Sequence, residues 1–244
     1  MTTSLIVVID EGVAAITINR PEKRNALSRE IRENLKEQIA QLNEDVKVRA
    51  IILTGSDPAF SAGVDFQEME DPSTDLKSIG PLSAPFLIST TPLIGAINGP
   101  AYTGGLELAL ACHFLIASER ATFADTHARM GLMPGWGLSV LLTEAVGSRR
   151  ARQMSTTCQP IDAQKAYEWG LVNAVVPHDQ LMNSARTTAS QIATNDRDAT
   201  KKFGKLVNKQ ARVRDESLWA IEQDFWSGIT SEASKINMNK KRDN

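Results

Sequence analysis

Asn98-Gly99-Pro100-Ala101-Tyr102-Thr103-Gly104-Gly105-Leu106-Glu107-Leu108 is the stretch on which the fold turns. Asn98-Gly99-Pro100 closes a short apolar run, Pro92 to Ile97, that reads as a strand ending in a turn. A helix then starts near Gly104 and runs to about Cys112, with Leu106, Leu108, Ala109, Leu110 and Ala111 apolar on every side. A helix apolar all round is buried, and Glu107 sits inside this one. Burying a carboxylate is costly unless it is paired or used. Two readings stand: a working carboxylate, or a first-turn Glu held by the helix dipole, worth ~0.3–1 kcal/mol. Gly104 and Gly105 would let backbone N–H groups approach a ligand closely, or would simply pack a tight turn. Gly99 and Gly104 have the spacing of a phosphate loop, but Gly105 and Leu106 stand where Lys and Ser/Thr are required. No Gly-x-Gly-x-x-Gly occurs, so a dinucleotide fold has no support.

Working outward, Leu5 to Ile9 and Val13 to Asn19 are β-rich runs around the turn Asp10-Glu11-Gly12, which predicts a hairpin. Ser28 offers an N-cap, and Ile31, Leu35, Ile39 and Leu42 follow at helical spacing. Val48 to Thr54 is a buried-strand run ended by Gly55, completing a β-β-α-β order. A second glycine turn, Ser61-Ala62-Gly63-Val64-Asp65, follows the apolar Ala59-Phe60. Residues 67–91 are rich in breakers and carry little pattern, the mark of a functional or mobile segment. Phe114 to Ala117 is again a strand. From Leu138 onward the signals are helical: Asp162 caps Ala163 to Trp169, Gly170 supplies the stop, and helices are expected at 178–194, 198–211 and 215–227. An α/β body over 1–190 therefore precedes a helical region over 191–244.

The 244 residues suffice for one large domain, and 42% are apolar. The formal net charge of -2 comes without a basic patch, which argues against a nucleic-acid partner. The charges between Ser28 and Arg49 alternate in sign and read as a solvated helix face. No apolar run approaches the ~20 residues of a membrane span, and Met1-Thr2-Thr3-Ser4 lacks the basic flank of a signal peptide. Cys112 and Cys158 have neither metal nor disulfide spacing, so a reducing, cytoplasmic setting and no metal are expected.

Six stretches occur together: 19–27 (Asn-Arg-Pro-Glu-Lys-Arg-Asn-Ala-Leu), 60–65 (Phe-Ser-Ala-Gly-Val-Asp), 98–108, 123–125 (Phe-Ala-Asp), 131–137 (Gly-Leu-Met-Pro-Gly-Trp-Gly) and 170–177 (Gly-Leu-Val-Asn-Ala-Val-Val-Pro). In order and spacing the chain resembles the crotonase (enoyl-CoA hydratase/isomerase) superfamily over about residues 5 to 230. The resemblance implies an α/β spiral of β-β-α units with a C-terminal helical region that builds trimers, often paired into hexamers. Leu218, Trp219, Ile221, Phe225 and Trp226 give the terminal helix apolar surface for such contacts. It implies a coenzyme A thioester substrate, and no cofactor beyond the coenzyme A that the substrate carries. The oxyanion donors fall on the amides of Val64 and Gly104, and Glu107 falls on the glutamate that activates water. Lys23, Arg24 and Ala26 match the loop along the nucleotide end of coenzyme A; for Lys23 and Arg24 plain surface charge is the alternative. Asp65 matches a structural position. Trp136 either walls the acyl pocket or fills the core behind its turn.

The chain departs from the pattern at one decisive place. Hydratases of the family usually carry a second glutamate where this chain has His127. Histidine titrates near neutrality and can move protons; the alternative is a residue that fills the slot and hydrogen-bonds Glu107. Keeping the first glutamate favours water chemistry over isomerisation. The expected activity is an enoyl-CoA hydratase-like lyase of lipid metabolism, with an acyl-CoA hydrolase, an isomerase or an acyl-CoA-binding pseudoenzyme as alternatives. Restoring the acid with His127→Glu is expected to raise hydration of crotonyl-CoA, provided Trp136 leaves room for the water.

Overall fold

The computed structural model describes residues 4–65, 67–68 and 89–207, together with Ala220 and Asp224. Most of the breaker-rich segment and of the helix expected at 215–227, including its large apolar residues, lies outside them. The chain opens with β1 (Leu5–Asp10) and β2 (Val13–Ile18), an antiparallel hairpin. Glu11 (φ 46°) and Gly12 (φ 80°) close it with two consecutive left-handed residues, whose twist suits a tight hairpin. A short 3-10 turn, Pro21–Lys23, leads to α1 (Arg29–Glu44), where the Ser28 hydroxyl accepts the Ile31 amide at 3.4 Å. Next come β3 (Ala50–Gly55), β4 (Leu93–Ile97), β5 (Ala101–Tyr102), α2 (Gly104–Leu110), β6 (Phe114–Ser118) and β7 (Thr122–Ala124). Then follow α3 (His127–Met130), α4 (Leu138–Val146), α5 (Ser148–Thr157), β8 (Ile161–Asp162), α6 (Ala163–Glu168), β9 (Ala174–Val176) and α7 (Leu181–Ala193). Residues 197–207 are helical.

The larger sheet has the order β1-β2-β3-β4-β6-β9 and is parallel from β2 onward; the smaller is β5-β7-β8. After β4 and again after β6 the chain bends and lays a strand of two or three residues, β5 and β7, in the small sheet. The result is a spiral of β-β-α units. Strands of the large sheet are apolar on both sides, as a parallel sheet covered on both faces requires. Ile16, Ile18, Ile51 and Leu53 face Ile31 and Leu35 of α1 and Leu106 and Leu108 of α2. Their neighbours in sequence, Ala15, Ala50 and Ile52, face Leu181, Ala185 and Ala189 of α7. Period-two alternation thus sorts one strand sequence into two cores.

The reading of everything after Leu138 as helical is corrected here. β8 and β9 interrupt the helices, and β9 completes the large sheet beside β6. Ala174-Val175-Val176 is too short to show a period; only its seat between the Gly170 stop and Pro177 marks it. Asp162 does cap α6, accepting the Lys165 amide at 2.8 Å. Among the described residues no helix is long and apolar enough to cross a membrane.

Three fully or nearly buried groups bring the loops at the strand ends together. Asn25 accepts the Arg20 amide at 2.9 Å and donates to the Ser56 and Ala59 carbonyls at 2.7 and 2.6 Å. Asn98 accepts the Gly55 amide at 3.2 Å and donates to Asp57 and to the Ala59 carbonyl at 3.0 and 3.2 Å. Gly105 is the third: a β-carbon there would lie 2.1 Å from the Ser61 carbonyl oxygen, so α2 packs against this loop only because the residue has none. Gly105→Ala should force the two apart and cost about 1–3 kcal/mol, the usual range for overpacking. The measurement is the urea midpoint of the two proteins; an unchanged midpoint would show that α2 does not need this approach.

Candidate active site

Thr103, the N-cap of α2, has φ 54° and ψ -115°, an uncommon conformation for a β-branched residue. Strain of this kind persists only where surrounding contacts impose it, and it gathers at functional sites. Here the Thr103 amide donates to Ala124 O at 2.9 Å, and the Thr103 and Thr126 hydroxyls lie 2.5 Å apart. The twist turns the peptide so that the Gly104 amide opens the helix.

The second amide comes from the 61–65 turn. Leu27 N donates to Gly63 O at 2.7 Å and Asp65 N donates to Leu27 O at 3.3 Å. Val64 lies between these two bonds as the centre of a parallel bridge, so its own N–H points to the other side. That side is Gly104. A β-carbon on Gly104 would sit 3.3 Å from Val64 N, and one on Gly63 would sit 3.1 Å from Gly104 N. The two amides therefore border one narrow space, and among the described residues neither donates a hydrogen bond. Trp136 closes it: its ring edge is 3.2 Å from the same Gly104 β-carbon position.

Glu107 lies one turn along α2 and is 3% exposed. Its Oε1 accepts the Gly135 and Trp136 amides at 3.1 and 2.8 Å, so the 134–137 turn holds the carboxylate in one orientation. Its Oε2 faces His127 Nε2 across 3.7 Å, beyond a direct hydrogen bond. The other side of that ring is anchored. His127 Nδ1 and Asp125 Oδ1 are 2.7 Å apart, and the same oxygen accepts the His127 amide at 3.1 Å. Burial pushes the Asp125 carboxyl up. The hydrogen bond and charge of His127, the Ser155 hydroxyl and the His127 amide outweigh this and hold it below the usual carboxylate value. An ionised carboxylate only accepts, so His127 Nδ1 carries the proton.

Val64, Thr103, Glu107, His127 and Trp136 share the wall of a cavity of about 400 Å³, completed by apolar residues such as Leu132. Gly104 is at its rim through the contacts above. Lys23 and Arg24 are exposed and Ala26 is buried; none of the three lines the cavity. They sit on the loop just before Leu27, and Ala62 N donates to Arg24 O at 3.0 Å, so this loop braces the Val64 turn from outside. Asp65 pairs with Arg20 at 2.6 Å in the same brace. The other histidines lie elsewhere: His113 Nδ1 accepts the Leu93 amide at 2.8 Å, and His178 bridges Ser118 and Asp57 at 3.0 Å each.

Sequence reasoning missed Asp125, Thr103 and the amides of Gly135 and Trp136. For Asp125 a signal existed, an acid two residues before a histidine in a turn. Backbone donors leave no residue signature.

Comparisons with known proteins identify the family. The family model described as enoyl-CoA hydratase/isomerase matches residues 8–242. A probable peroxisomal enoyl-CoA hydratase of Arabidopsis thaliana is 36% identical over 91% of this chain and 86% of its own. A short-chain-enoyl-CoA hydratase of Clostridium acetobutylicum is 34% identical over 92% and 88%. The crystal structure of an enoyl-CoA hydratase from Mycobacterium avium superposes with a TM-score of 0.83, at 40% identity, covering 99% of this chain and 100% of that one. With the family model matched over residues 8–242 and relatives alike over nearly the whole chain, the chain belongs to the enoyl-CoA hydratase/isomerase family of the crotonase superfamily.

Proposed function

We propose that the chain is an enoyl-CoA hydratase-like lyase that adds water across the double bond of a 2-enoyl-CoA thioester. One observation carries this reading: Glu107 Oε2 and His127 Nε2 face each other at 3.7 Å in the cavity that the Val64 and Gly104 amides border. Two acceptors at that distance suit one bridging water, which gives a hydrogen to each and turns a lone pair to the substrate. The thioester oxygen lies between the two amides, with the β-carbon over the water. As the water oxygen bonds to the β-carbon, Glu107 takes its proton and the double-bond electrons move to the thioester oxygen as an enolate. The two fixed donors stabilise that charge without reorganising; one such donor is typically worth ~2.7–4 kcal/mol. The enolate then collapses, and its α-carbon takes a proton from the Glu107–His127 pair. One water has been added, its hydroxyl on the β-carbon and a hydrogen on the α-carbon. A pure binding role would leave the buried, oriented Glu107 without a purpose.

The remaining assignments extend the same reading. Lys23, Arg24 and Ala26 carry the nucleotide end of coenzyme A on the outer loop, where the first two are exposed. Trp136 walls the acyl end. The enzyme works in the cytoplasm, which suits two free, buried cysteines. It assembles as a homotrimer or a dimer of trimers: in the single chain Phe203 and Leu206, on the helix after α7, are 69% and 62% exposed. Light scattering at micromolar concentration should give three or six times the chain mass, and a monomer would refute the assembly.

Glu107→Gln is a faithful probe, because an amide oxygen can still accept the Gly135 and Trp136 amides. Turnover should fall about 10²–10⁴-fold while acyl-CoA binding, measured by calorimetry, stays within a few-fold. Near-normal turnover would remove Glu107 from the chemistry.

The expectation for His127→Glu changes with the structure. A glutamate there would meet Asp125 in a buried site, and two such carboxylates cannot both ionise cheaply. The single variant should therefore melt lower and gain no crotonyl-CoA hydration; adding Asp125→Asn should recover the gain. A fast, stable single variant would show that Asp125 does not confine position 127.

A further inference from the structure

Resting on the hydratase reading, we infer that Asp125 is a positioning residue of the reaction: it fixes the tautomer and the ring angle of His127 so that an unprotonated Nε2 meets the water held by Glu107. The geometry is specific. A single oxygen, Oδ1, takes both the backbone amide and the Nδ1–H of His127, at 3.1 and 2.7 Å, so the ring can neither rotate nor translate without breaking one of them. The shorter distance is in the range of charge-assisted bonds. Asp125 is 1% exposed and His127 6%, so water does not substitute for either bond. Ser155, on α5, also favours the ionised form of this carboxylate.

The consequence is chemical. Neutral imidazole in water prefers the proton on Nε2. With that tautomer, the ring would offer Glu107 a donor and would tie up the oxygen that has to take a proton from water. Asp125 reverses the preference by demanding the proton on Nδ1, which leaves Nε2 an acceptor. The carboxylate also stabilises the imidazolium that appears whenever His127 holds a second proton. The Asp–His unit thus supplies, from a neutral ring, the second acceptor that a glutamate would supply with its charge.

The three histidines make the test direct. In protein labelled with ¹⁵N-histidine, His127 of the wild type should show the Nδ1–H pattern. His113 should show the opposite pattern, because its Nδ1 accepts the Leu93 amide at 2.8 Å. Asp125→Ala should shift His127 to the Nε2–H pattern, lower kcat by about 10²-fold and leave KM within about threefold. In a His127→Gln background the same substitution should change kcat by less than about threefold. A wild-type Nε2–H pattern at His127 would overturn the inference, and that measurement needs no variant to fold. An equal loss in both backgrounds would also overturn it, since Asp125 would then be acting on the fold. If no enoyl-CoA is hydrated at all, the functional reading fails, while the tautomer measurement still decides the role of Asp125.

Discussion

The close approach of α2 to the Ser61 carbonyl is the contact on which the site depends. The chain reaches it by stacking two strand-to-loop exits: β3 leads into the 59–65 turn and β4 into Gly104. Asn25 and Asn98 hold those exits together through carbonyls and amides that no strand partner satisfies. Buried polar networks of this kind are stable only when every member is bonded. Here the bonds span the 20–25, 55–61 and 98 segments, so the geometry of two amides is secured by residues distant in sequence. The order of the candidate site is in this sense a by-product of closing the spiral.

Much of this was legible beforehand because it follows from local rules. The hairpin turn, the Ser28 and Asp162 caps, and the periodic burial of α1 each depend on a few neighbouring residues. Glu107 stood out because a charge in an all-apolar helix demands an explanation. What was illegible depended on tertiary partners. The small sheet consists of strands of two and three residues, below any periodic signal, and its register comes from the large sheet above it. The left-handed backbone of Thr103 runs against the preference of its own side chain, so only the Ala124 and Thr126 contacts account for it. Asp125 belongs to the same class, since its meaning lies in where His127 points.

Electrostatically the site is a buried row: Asp125, His127, Glu107, then the two amides at the far side of the proposed thioester position. Each carboxylate is oriented by amides or hydroxyls on one oxygen and turns toward the imidazole. The ring between them lets two buried acids coexist that would otherwise repel. Proton uptake by such a row belongs to the whole group and not to any one member.

That the proposed oxyanion donors are backbone amides has a consequence for how the protein tolerates change. The Val64 side chain can vary without touching the donor; only proline deletes it. Its neighbours have no such latitude, since Gly63 holds φ 98° and Gly104 faces Val64 and Trp136 within 3.3 Å of a β-carbon. A saturation map of this region would therefore look uneven. Of the two proposed donors, Val64 would appear permissive and Gly104 essential, and Gly63, which is not one of them, would appear as essential as Gly104.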